Sequence, residues 1–157
     1  MPRERSKPDK IAALISAFRT SGNLDRAFDN RAAEALGVNL TDLHALNIIE
    51  NRGGVTAGAL AAEAGLTTGA VTGVLDRLER AGYARRVRDP TDRRRVKIEA
   101  TDHFYARADE IWRPVAADWQ TELSRRFSAD QLDVITEFLN ATNELTRRHL
   151  ARIAPSP

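Results

Sequence analysis

The sequence predicts a mainly α-helical fold carrying one small β-hairpin, and three observations predict it. Apolar residues recur at helical spacing over most of the 157 residues. That period gives way to alternation in one short stretch, Tyr83 to Glu99, and then returns. Aromatics are only 6% of the chain, so the core must come from Ala, Leu, Val and Ile, a composition that leans towards helix. With 42% hydrophobic and 29% charged residues, the chain reads as one globular domain over 1–157 with a real core.

The first helix is expected from about Asp9 to Leu36. Ile11, Leu14, Ile15 and Phe18 share one face, and Phe28, Ala32 and Leu36 continue near it. Gly22 lies on that face, where it either admits another helix closely or marks a break at Thr20-Ser21-Gly22-Asn23; both readings stay open. Gly37 ends the segment. Thr41 is expected to cap a second helix with Leu43, Leu46 and Ile49 inside, stopped by Gly53-Gly54. Thr56 caps a short third helix, Ala57 to Ala64, Gly65-Leu66 turns the chain, and Thr67 caps a fourth that ends at Gly82.

Strands follow at Tyr83 to Arg88 and Arg95 to Glu99, with hairpin-loop chemistry in Asp89-Pro90-Thr91-Asp92-Arg93-Arg94 between them. From Thr101 the chain is helical again. Ile111, Val115, Trp119 and Leu123 step by four, and Pro114 must kink this helix or displace one backbone bond. Ser128 and Gln131 form a capping box for the last helix, with Phe127 and Leu132 as its hydrophobic staple.

Several function classes are excluded early. The chain has no Cys, which removes disulfides, Cys-based zinc sites and thiol redox chemistry. His44, His103 and His149 are too far apart for a metal motif, and neither a metal nor a cofactor is expected. No stretch is long and apolar enough to span a membrane, and the N-terminus lacks a signal-peptide core, so the expected location is the cytoplasm. No nucleophile elbow, phosphate-cradling loop or paired carboxylates point to an enzyme.

Charge distribution is more informative than its total. Between Asp76 and Ile98, nine Arg and Lys residues face four acids, whereas the whole chain carries only +2. The remainder is therefore mildly acidic, and the positive charge sits in one stretch.

That stretch overlaps the most informative motif, Ala57 to Leu78. A helix-turn-helix needs a small residue where its helices cross, and Ala61 supplies it. It needs a residue tolerant of positive φ in the turn, and Gly65 stands four positions on. Leu60, Ala64, Leu66, Val71 and Val74 have the spacing that locks such a pair onto a core. A plain helical hairpin would fit the same spacing, because the motif is a geometry before it is a function. With Val71, Val74, Leu75 and Leu78 inward, the opposite face of the fourth helix carries Thr68, Gly69, Thr72, Gly73, Asp76 and Arg77. The N-terminal residues of such a helix, Thr67 included, reach base edges in the major groove. Arg93, Arg94 and Arg95 at the hairpin tip suit a narrow minor groove, whose negative potential attracts arginine. Asp92 suits an orienting role, since phosphates repel a carboxylate.

Gly65-Leu66-Thr67-Thr68-Gly69-Ala70-Val71-Thr72, Leu75 to Tyr83 and the segment Asp89-Pro90-Thr91-Asp92-Arg93-Arg94-Arg95 resemble the MarR family of winged helix-turn-helix transcriptional regulators. The last of these is close to the family's D-x-x-D-R-R pattern. The resemblance runs from about Asp9 to Ile153 and implies a dimer whose first and last helices interlock (9–36 and 101–153), around a DNA-binding lobe at 41–100. It implies recognition helices in successive major grooves of double-stranded DNA, with Arg94 in the minor groove and Asp92 holding it. Gly73 departs from the pattern, because many members carry a long basic residue there; a contact common in relatives is thereby in doubt. The resemblance also implies release by small aromatic or phenolic ligands, for which Phe28, His44, Trp112 and Trp119 are the candidate lining. Those aromatics fit a plain core equally well.

Dimerisation has a second warrant in the residues. Ile11, Leu14, Ile15 and Phe18 at one end, and Leu139, Leu145, Leu150 and Ile153 at the other, exceed what a small winged lobe can cover. The rival reading is a winged helix used for protein–protein contact without DNA, which gives no reason for the arginine cluster.

Overall fold

A computed structural model describes residues 6–88 and 96–153. They form α1 (Lys7–Leu36), α2 (Leu40–Arg52), α3 (Ala57–Ala64), α4 (Thr68–Arg80), β1 (Ala84–Arg88), β2 (Val96–Ala100), α5 (Asp102–Arg126) and α6 (Ala129–Ile153). The helical class with one hairpin is as the sequence predicts. Two compact units divide the chain, Met1–Ile111 and Trp112–Pro157.

The first unit opens on a reciprocal cap. Ser6 Oγ accepts from the Asp9 backbone N–H at 3.4 Å, and the Asp9 carboxylate accepts from the Ser6 N–H at 3.2 Å. From there α1 runs 30 residues without a break. Gly22 is thus an interior helical residue, and a Cβ built on it would meet nothing within 4 Å. The last turn of α1 has no basic residue of its own; Arg107 of α5 donates to the Ala35 carbonyl at 3.2 Å and supplies the missing cation.

The cap of α2 is Asn39, two residues before the expected Thr41. Asn39 Oδ1 accepts from the Asp42 N–H at 2.8 Å. Both residue types cap well, and Leu40 can join the first turn because it remains exposed. Thr56 and Thr67 cap α3 and α4 as expected, accepting from Ala59 and Ala70 N–H at 3.3 and 3.2 Å.

These helices close on one core: Leu43, Leu46 and Ile49 of α2, Leu60 of α3, Val71, Val74, Leu75 and Leu78 of α4, Ile98 of β2 and Phe104 of α5. Each such side chain contributes about 1.5–3 kcal/mol by leaving water. β1 and β2 pair antiparallel, from Ala84 opposite Ala100 to Arg88 opposite Val96. Val55, in the α2–α3 connection, adds an isolated bridge. Its N–H donates to Ile98 O at 3.0 Å and its carbonyl accepts from Ile98 N–H at 2.7 Å. Gly54 makes that approach possible, since at φ +109° a Cβ would stand 3.2 Å from Glu99 Cγ.

Tyr83 was expected to open the first strand, but the strand begins one residue later. Its hydroxyl donates to the Leu36 carbonyl at 2.9 Å, and its ring stacks on His103 at 5.3 Å and meets Phe104 edge-on at 5.9 Å. The ends of α1 and α4 and the start of α5 are joined through this one residue.

In the second unit α5 continues through Pro114, giving up one backbone bond, and α6 opens on the expected capping box. Ser128 N–H donates to Gln131 Oε1 at 2.9 Å, and Gln131 N–H to Ser128 Oγ at 3.3 Å. No residue of α6 is buried.

Candidate nucleic-acid interface

The turn between α3 and α4 redirects the helix axis by 109°, within the range of a helix-turn-helix. Gly65 makes the turn at φ +65°, and the Ala61 carbonyl accepts from both the Gly65 and Leu66 N–H groups. Ala61, Ala64 and Leu66 are half-buried where the two helices approach. The crossing residue, the left-handed glycine and the apolar lock are therefore where the sequence places them.

Burial then divides α4 into two faces. Val71, Val74, Leu75 and Leu78 are at most 2% exposed, whereas Thr67, Thr68, Gly69 and Thr72 are exposed. Thr72 donates its hydroxyl hydrogen to the Thr68 carbonyl at 3.1 Å, which leaves its oxygen as an outward acceptor. Thr67 is the reverse, because its oxygen caps α4 and its hydrogen is left to donate. A Cβ on Gly69 would meet nothing within 4 Å, so the backbone is bare there.

Arg77, expected on the outward face, is exposed and is also paired within the lobe. Its Nε and Nη2 donate to Asp42 Oδ2 and Oδ1 at 2.9 and 2.6 Å, a two-pronged pair across to α2. The Asp42 carboxylate is 2% exposed and the Arg77 side chain 44%. Leaving a carboxylate buried without its partner is strongly destabilising, so this pairing takes first claim on the arginine. Hydrogen bonding to Asp42 also raises the guanidinium further above its ordinary pKa. Sequence reasoning missed Asp42, which in the first turn of α2 reads only as an acid suited to the helix dipole. Gly73 is half-buried, and a Cβ there would lie 3.5 Å from Arg77 Nη1.

Other arginines of the basic stretch are also engaged. Arg86 donates to Asp76 at 3.2 Å and to Glu79, clamping the acids of α4 from β1. Arg85 reaches Glu99 directly opposite on β2, at 3.4 Å. The charge excess legible in the sequence is thus partly consumed within the lobe. Asp92, Arg93, Arg94 and Arg95, the expected hairpin-tip contacts, lie outside the described residues.

The remaining candidates divide between the two units. Ile11, Leu14, Ile15 and Phe18 on α1 are 41–54% exposed, and Leu139, Leu145, Leu150 and Ile153 on α6 are 44–76% exposed. Phe28 and His44 are exposed in the first unit; in the second, Trp112 is half-buried and Trp119 is exposed. Among the described residues no cluster of three His, Cys, Asp or Glu has metal-ligand geometry, and no single helix is long and apolar enough to cross a membrane.

Known proteins share this arrangement. The MarR family model matches residues 38–96, from the α2 cap to the start of β2. An uncharacterized HTH-type transcriptional regulator of Bacillus subtilis, YcgE, is 36% identical over 149 residues, covering 95% of each chain. Among solved structures, a MarR-like transcriptional regulator from Thermotoga maritima is similar with a TM-score of 0.64 at 24% identity, over 85% of this chain and 96% of that one. A MarR mutant from E. coli complexed with operator DNA has a TM-score of 0.54 at 22% identity, over 88% of this chain and 99% of that one. With the helix-turn-helix geometry, the hairpin behind it and a relative matched nearly end to end, the chain belongs to the MarR family of transcriptional regulators.

Proposed function

We propose that two copies of this chain bind a pseudo-palindromic site on double-stranded DNA, in the cytoplasm, and repress the genes beside it. The observation that carries this reading is the outward face of α4. It presents Thr68, Gly69 and Thr72, all exposed, on a helix anchored by a fully apolar opposite face. Threonine hydroxyls bond base edges or phosphates, their methyls suit thymine, and a bare glycine lets the helix sit deep in the groove. The same fold solved with operator DNA in the E. coli MarR mutant supports a duplex as the ligand.

Arg94 would enter the adjoining minor groove with Asp92 orienting it, and Arg93 and Arg95 would add charge for the DNA backbone. The exposed apolar residues of α1 and α6 support the homodimer. Each is 41–76% exposed, so cover by a second copy would add roughly half of the about 1.5–3 kcal/mol that full burial is worth. A small aromatic or phenolic ligand would lift repression.

Selection of bound fragments from random duplex DNA tests the reading. The expected product is an inverted repeat with half-site centres about 10 bp apart. A single asymmetric motif would refute the dimeric arrangement, and no enrichment at all would refute DNA binding. On the enriched fragment, Arg94→Ala is expected to cost about 1–3 kcal/mol.

A further inference from the structure

The contact between Asp42 and Arg77 joins a buried carboxylate to an arginine that remains 44% exposed on the recognition helix. The pair neutralises the buried charge and also leaves a cation in solvent on the recognition helix. We propose that Asp42 is a positioning residue for DNA binding: it grips Arg77 by one edge and presents the other, uncovered at Gly73, to a backbone phosphate. The inference rests on the duplex-DNA reading above.

Arginine has five N–H donors in a rigid plane. Asp42 takes one from Nε and one from Nη2. Nη1 donates to nothing among the described residues, and it is the atom that lies 3.5 Å from a Cβ built on Gly73. Any long side chain at position 73 would run across it. Glycine leaves that edge open.

Distance along the helix decides which part of the duplex this edge meets. Arg77 follows Thr68 by nine residues, about 13 Å along the axis. The major groove is about 12 Å wide, and the N-terminal residues of the helix are those at the base edges. Arg77 therefore lies beyond the base-reading N-terminal residues and half a turn round the helix from Thr68, a place suited to a phosphate rather than to a base edge. Because Asp42 already fixes the guanidinium plane, a long flexible side chain is ordered before DNA arrives.

Salt-series affinities on the fragment enriched by the wild-type protein test this, with melting curves to confirm that each variant is folded. Arg77→Ala is expected to weaken binding on the order of tenfold, evenly across sequences. It should also lower the slope of log affinity against log salt by about 1 per subunit.

Asp42→Asn gives a test by sign. Removing a carboxylate from a DNA-facing lobe would on charge alone tighten binding. Positioning requires weaker binding instead, with no further loss once Arg77 is already Ala. Gly73→Leu leaves the ion pair intact and keeps the test alive if Asp42→Asn does not fold. It should weaken binding with Arg77 present and have little effect in the Arg77→Ala background.

The proposal is overturned if Asp42→Asn binds as tightly as wild type or tighter. It is also overturned if Arg77→Ala leaves the salt slope unchanged, if its loss is confined to one base pair, or if Gly73→Leu weakens binding equally with and without Arg77. A wild-type protein that enriches no fragment defeats the DNA reading itself, a different result from any of these.

Discussion

Two glycines of the helix-turn-helix face opposite tests. Gly65 holds φ at +65° in the turn, where a residue with a Cβ costs about 1–2 kcal/mol. Gly65→Ala is expected to lower unfolding stability in urea by that amount, and an unchanged midpoint would mean that the turn has another conformation available. Gly73 sits inside α4, where a Cβ would meet only Arg77 Nη1, at an ordinary contact distance of 3.5 Å. Gly73→Ala is therefore expected to stabilise the protein by about 0.8–1 kcal/mol through helix propensity. A destabilised variant would show that the close packing at Arg77 is tighter than contact distance implies. The absence of Cys gives a third expectation, that mild peroxide leaves DNA binding unchanged; a loss on exposure would require another oxidisable group. Legibility at this scale follows chain distance. Gly65 was readable because its partner Ala61 is four residues away, whereas Asp42 and Arg77 are 35 apart and nothing local links them.

Elements were legible where their signals are local. Thr56, Thr67 and the Ser128–Gln131 box each cap the helix they announce. Position 39 misled because two good caps stand close together, and only the bond from Asp42 N–H decides between them. Val55 was not legible, since a single bridging residue has no alternation to detect. Its two bonds to Ile98 tie the α2–α3 connection to the wing strand behind the recognition helix. Val55→Pro removes the N–H that donates at 3.0 Å and leaves Ile98 O without that partner, at an expected cost of about 1–3 kcal/mol. Thermal unfolding measures it, and a melting temperature equal to wild type would mean that the bridge contributes nothing.

At the scale of the whole molecule, the apolar surplus of α1 and α6 was present in the sequence as residues too numerous for one small core. Deleting 143–157 removes Leu145, Leu150 and Ile153. The truncated protein is expected to sediment as a monomer or aggregate and to lose operator affinity steeply, as two linked half-sites become independent. A truncated protein that stays dimeric and binds normally would remove α6 from the interface. The reading head itself needs no such partner. Its caps, its turn and its apolar anchor are all made by α2, α3, α4 and β2 of one chain. The amides of Val71 to Leu78 should accordingly exchange with deuterium as slowly in the free protein as anywhere in the lobe. DNA would then find a finished surface, and isotope labelling in the complex should record almost no added protection along that segment.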